Sequence, residues 1–161
     1  MSATKRLAAL LAPFVALLAT VGVGGATASA PTTASSTVSN TSATFNSVRA
    51  MGDNLIADVT ATAAYTGTFT GTSTINGTLL IHSDGSASYH DVEVFTGTVN
   101  GVPGTVTFNL NASNDAQLNA HATATIVSAA GGLAGLHGLL HEVQTVVIPT
   151  GPVGTYEGLV G

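Results

Sequence analysis

From Leu55 onward, apolar and small side chains recur at every second position, and turn-forming clusters interrupt the alternation at short intervals. A side-chain period of two is that of a strand with one buried face, so the pattern demands antiparallel sheet and leaves little room for helix. Leu55, Ala57, Val59, Ala61, Ala63, Tyr65 and Phe69 mark one face, with Asp58, Thr60, Thr62, Thr66 and Thr68 mostly opposite. Further runs follow at Ser73–His82, closed by the turn SDGS, and at Ala87–Val99, turning at NGVPG. Val106, Phe108 and Leu110 share the next face, and Leu118, Ala120, Ala122, Ala124 and Ile126 the one after it. EVQTVVI and GTYEGLV end the series, while SATFNSVRAM supplies the first strand. About eight strands with short connections predict an antiparallel barrel or sandwich.

An aromatic followed by Thr-Gly-Thr occurs three times, at Tyr65–Thr68, Phe69–Thr72 and Phe95–Thr98. Two of the three are adjacent, which is not a solenoid period, and glycine within strands marks the bends that a small barrel needs at its corners.

The first residues have a different character. Lys5 and Arg6 precede the apolar run Leu7–Gly25, and ATASA (Ala26–Ala30) ends in small residues. This is the layout of a secretory leader, and Ala26 and Ala28 place cleavage after Ala28. Residues 1–28 are therefore expected to be a signal peptide, and residues 29–42, rich in Ser and Thr, a short disordered stalk or flexible linker. Residues 43–161 would be the β-barrel domain, exported and free of the membrane once the leader is removed.

Without the leader the chain keeps one basic side chain, Arg49, against eight carboxylates. Such a surface repels phosphate, so nucleic-acid binding is excluded. There is no cysteine, and the roughly 130 residues remaining must be held by one core and by hydrogen bonds. The absence of tryptophan weakens the case for stacking sugars or bases.

His137 and His141, four apart with Glu142 beside the second, resemble a zinc-protease helix with its letters rearranged. Gly131, Gly132, Gly135 and Gly138 would each cost such a helix about 1 kcal/mol relative to alanine. Glu142 also follows the wrong histidine, and no third ligand stands at a fixed spacing. The stretch reads as a glycine turn running into a strand, so neither a metal nor a cofactor is expected. Nucleophile-elbow and phosphate-loop motifs are missing. The remaining candidates are Tyr89, Asp91 and Glu93, which a period of two puts on one face of one strand. A phenol and two carboxylates facing inward would suit acid–base work on a bound apolar molecule, whereas facing outward they would be ordinary solvated groups.

The order of features in TATAAYTGTFTGTSTINGTLLIHSDGSASYHDVEVFTGTVNGVPGTVTFNL, followed by GGLAGLHG, resembles a bacterial family of unknown function common in actinobacteria, with an allene-oxide-cyclase-like barrel. The resemblance runs from about Ala57 to Val160, and a wider kinship takes in allene oxide cyclases, dirigent proteins and spirocyclases. It implies an eight-stranded antiparallel β-barrel with an apolar cavity for a small hydrophobic ligand, often assembled as a homodimer or homotrimer. Glu93 falls where that family carries an acidic residue before Thr-Gly, and His137 stands where the family has arginine. The expectation is a secreted barrel that holds a hydrophobic molecule. A cyclase or isomerase using Glu93, Asp91 and Tyr89 is the first alternative, and a non-catalytic surface or structural protein the second.

Overall fold

The computed structural model describes residues 30–161, so the expected signal peptide, residues 1–28, lies outside the described residues. Eight strands follow one another: β1 (Thr32–Met51), β2 (Asn54–Tyr65), β3 (Phe69–Ile81), β4 (Ala87–Val99), β5 (Val102–Asn114), β6 (Asn119–Gly131), β7 (Gly138–Val147) and β8 (Gly151–Val160). Each is antiparallel to the next, and β1 also pairs with β8, which closes the sheet into a barrel. Closure gives every strand a neighbour on both sides, which protects a sheet against edge-to-edge association.

β1 corrects the expectation of a stalk over residues 29–42. Thr32–Ser39 pair with Val160–Val153 of β8, and Val38–Met51 pair with Tyr65–Asn54 of β2. One long strand thus serves both neighbours, bending at register shifts between Asn40 and Ser42 and between Phe45 and Ser47. Only Ala34 and Val38 of its first half are buried hydrophobics. Two apolar side chains among serines and threonines form no visible alternation, and the segment owes its order to backbone pairing.

Turn chemistry follows the residues. Asn100 and Gly101 both have positive φ, 51° and 81°, the conformation that a two-residue hairpin turn requires and that Asn-Gly supplies. At the β3–β4 turn the Asp84 carboxylate accepts hydrogen bonds from Ser86 N (2.9 Å) and Ser86 Oγ (2.7 Å). Asp115 accepts from Gln117 N and Asn119 N, both at 2.9 Å, in the β5–β6 turn. Phe69, expected on the same strand as Tyr65, instead begins β3 after a turn at residues 66–68.

One end of the barrel is filled by aromatic rings. Tyr65, Phe69, Phe95, Phe108 and Tyr156 are all buried. Phe95 stands edge-on to Tyr65 at 5.6 Å and to Phe69 at 5.4 Å, and Tyr156 edge-on to Phe69 at 5.9 Å. These tilted and edge-to-face arrangements let ring edges meet ring faces. The aromatics of all three Thr-Gly-Thr motifs are in this plug. Gly71 and Gly97 of the second and third motifs face each other across β3 and β4. A Cβ on either would collide with the opposite backbone, and on Gly97 also with the Phe95 ring. Close approach of two strands beside the plug therefore requires glycine on both. Tyr156 fixes the neighbouring turn: its hydroxyl accepts from Phe69 N (2.9 Å) and donates to Thr66 O (2.7 Å).

Candidate ligand-binding site

The other half of the barrel is not filled. A cavity of about 290 Å³ runs from the Tyr65 ring toward the β7–β8 turn, just below the usual range for small-molecule pockets. Its walls are mainly apolar, with Val59, Ile75, Leu79, Leu110 and Ala61 prominent. Ala61, Ala112 and Ala120 leave the space, because each presents a methyl group inward where a larger residue would fill the barrel. The cavity reaches the surface beside Phe45 and Ile148, which line it while 55% and 76% exposed.

The predicted face of β4 points inward. Glu93 is 1% exposed and Phe95 fully buried, and Tyr89, Asp91 and Glu93 all line the cavity. Tyr89 donates from its hydroxyl to Asn114 Oδ1 at 2.6 Å, which ties it to the β5 wall. Burial pushes the Asp91 carboxyl up to about 6 against a small opposing effect of His90. Its side chain occupies space above Gly77 on β3, where any Cβ would collide with it. Deeper in, Glu93 accepts a hydrogen bond from Ser73 Oγ. Burial raises its pKa, opposed by Ser73 and Tyr65 and reinforced by Asp91.

Sequence reasoning missed a partner from the far side of the ring. Glu142 on β7, considered there only as the neighbour of His141, is 2% exposed and lines the same cavity. Its Oε2 accepts from Gln144 Nε2 at 2.6 Å, while Oε1 is buried without any hydrogen-bond partner. Burial first, and then the charge of Glu93, push its pKa up to about 8. The Tyr65 phenol lies beside both carboxyls and lowers each, but is out of hydrogen-bonding geometry with Glu142 Oε1. Its own ionisation is pushed well up by burial and by the charges of Glu93 and Glu142. The signal for Glu142 was present in the alternation: Leu140, Glu142 and Gln144 share a face, and Leu140 is fully buried.

The expected histidine turn is found. His137 lies in the connection before β7, where Gly131 and Gly135 take positive φ, and exposed His141 points outward from the strand. The helix that would bring both rings to one face does not form. His90 is also exposed, with Nδ1 2.8 Å from Asn111 Oδ1.

The site can enclose a small apolar body and present carboxyl oxygens at its inner end. With Glu142 protonated at neutral pH and Asp91 mostly ionised, the cavity holds both a proton donor and proton acceptors.

No curated protein matches the chain. A crystal structure of a protein of unknown function from Shewanella oneidensis MR-1 has the same fold, with a TM-score of 0.65 at 18% identity over 82% of this chain and 98% of that one. That protein is assigned to the DUF3224 family. The model of the same family, described as proteins of unknown function, matches residues 26–146. The chain belongs to the DUF3224 family.

Proposed function

We propose that this protein is an exported barrel that holds one small, mainly apolar molecule, with the polar end of that molecule against Glu93 and Glu142. The observation that carries the reading is the buried Glu142 Oε1, which lacks a partner at the inner end of an apolar cavity. An unpaired buried oxygen is costly, and a ligand group that satisfies it recovers that cost on binding. A volume of about 290 Å³ admits about ten water-sized groups. Export is supported by the basic start, apolar run and small residues of the leader. Kinship with allene-oxide-cyclase-like barrels is part of this reading and rests on the order of sequence motifs.

Native mass spectrometry of protein recovered from culture medium tests both parts. A chain beginning at Ser29 with a non-covalent adduct, lost in the Ala61→Leu variant that fills the cavity, is the expected result. An adduct retained at full occupancy by that variant would place the ligand elsewhere.

A second reading, a cyclase or isomerase, is favoured by the juxtaposition of a protonated Glu142 with Glu93 and Asp91. Here Glu142 would polarise a ligand carbonyl, and Asp91 or Glu93 would take a proton from the adjacent carbon, with Tyr89 orienting the molecule. Exchange of the α-protons of 4-phenyl-2-butanone for deuterium, followed by NMR, tests it. Exchange at the buffer rate in the presence of enzyme would end this reading.

A further inference from the structure

We propose that the molecule held in the barrel carries a protonated amine, whose N–H groups hydrogen-bond Glu142 Oε1 and the Glu93 carboxyl. The inference rests on the reading of the cavity as a ligand site and specifies the ligand's polar end.

The charges of the site are of one sign. Glu93 and Asp91 come from β4 and Glu142 from β7, and the other titratable groups around Glu142 are the phenols of Tyr65 on β2 and Tyr156 on β8. The only Lys or Arg among the described residues is Arg49, which is exposed and paired with Asp58 at 3.4 Å. No Lys or Arg among the described residues therefore accompanies the two buried glutamates. A buried carboxyl without a countercharge is held by remaining protonated, as the pKa of Glu142, pushed up to about 8, indicates, and burial shifts Glu93 in the same direction.

Three kinds of polar head can be compared. A carboxylate brings like charge into a site whose charged groups are acids, and the side-chain amides and phenols that could receive it there, Asn40, Gln144, Tyr65 and Tyr89, are all neutral. An alcohol satisfies one oxygen but brings no positive charge to a site of buried carboxyls. An alkylammonium supplies both the missing donors and the missing positive charge, in an apolar cavity where charge-assisted hydrogen bonds are strong. Its hydrocarbon body matches Val59, Ile75, Leu79 and Leu110 along the wall. The amine is charged at neutral pH, as a lysine is, so Glu142 must give up its proton to receive it.

Calorimetric titration of the intact barrel at pH 7 with 2-phenylethylamine, 2-phenylethanol and phenylacetate separates the possibilities. The amine should bind roughly tenfold or more tighter than the alcohol, and phenylacetate weakest. Repeating the amine titration in buffers of different ionisation enthalpy should reveal release of about one proton per amine bound, and affinity should rise with pH until about 8. Glu142→Gln should abolish the preference for the amine and the proton release, while retaining alcohol binding as proof that the barrel is intact. An alcohol that binds as tightly as the amine overturns the amine assignment and leaves the cavity reading standing. If none of the three binds, both fall.

Discussion

Glu93 of β4 and Glu142 of β7 enter one cavity from nearly opposite arcs of the ring, and the charge of Glu93 helps push the pKa of Glu142 up to about 8. A fold with one Lys or Arg among its described residues has placed two acids where water is scarce. The stability of the barrel should therefore depend on pH in an unusual direction.

A carboxyl with a raised pKa binds its proton more tightly when folded than unfolded. Between about 4.5 and 8 the folded chain carries more protons at Glu142, so stability falls as pH rises through that window and levels off above it. Asp91, pushed up to about 6, adds to the fall between about 4 and 6. Surface Asp84 and Asp115 act in the opposite sense, since turn hydrogen bonds lower their pKa and their contribution is lost on acidification below about 4. The melting temperature of the ligand-free protein should thus peak near pH 4–5. Glu142→Gln should flatten the decline and raise stability at pH 8 by a few kcal/mol, each pKa unit being worth about 1.4 kcal/mol. A melting temperature that rises from pH 5 to pH 8 would contradict the assignment.

Tyr156→Phe removes the only side-chain partner of the buried Phe69 N–H and the donor to Thr66 O. The ring remains in the plug, so the loss is polar, about 1–3 kcal/mol. Denaturant titration should show that loss with an unchanged m-value, and ligand binding at the other half of the barrel should be retained.

Truncation before residue 43 tests whether the first half of β1 is part of the barrel. It removes buried Ala34 and Val38 and exposes the β8 edge from Val153 to Val160. The shortened chain should lose cooperative thermal unfolding and associate through that edge, visible by light scattering. A monomer with the melting temperature of the longer chain would mean that residues 32–42 are dispensable, as a stalk would be.

Much of the barrel was legible because most strands alternate cleanly. Ala87–Val99 is recovered residue for residue, and the inward faces of β5 and β6 follow Val106, Phe108 and Leu110, and then Ala120 to Ile126. Tyr89, Asp91 and Glu93 were legible as a set by the same period, but whether they faced in or out was not. That depended on Phe95 joining a plug assembled from four other strands. The first half of β1 was hidden because threonines and serines satisfied by backbone pairing look, in sequence, like solvated linker. Glu142 escaped because a single acid on an inward face declares its role only when Glu93, 49 residues earlier, is placed in the same cavity.

The most direct test of the central claim is an NMR search for contacts between methyl groups and a saturating small apolar ligand, 2-phenylethanol, in protein labelled at Leu, Val and Ile. Intermolecular nuclear Overhauser effects should connect its ring to Val59, Ile75, Leu79 and Leu110, and should vanish in Ala61→Leu. Effects confined to exterior Val92, Val94 or Leu159, or none at millimolar ligand, would contradict a barrel that holds its molecule inside.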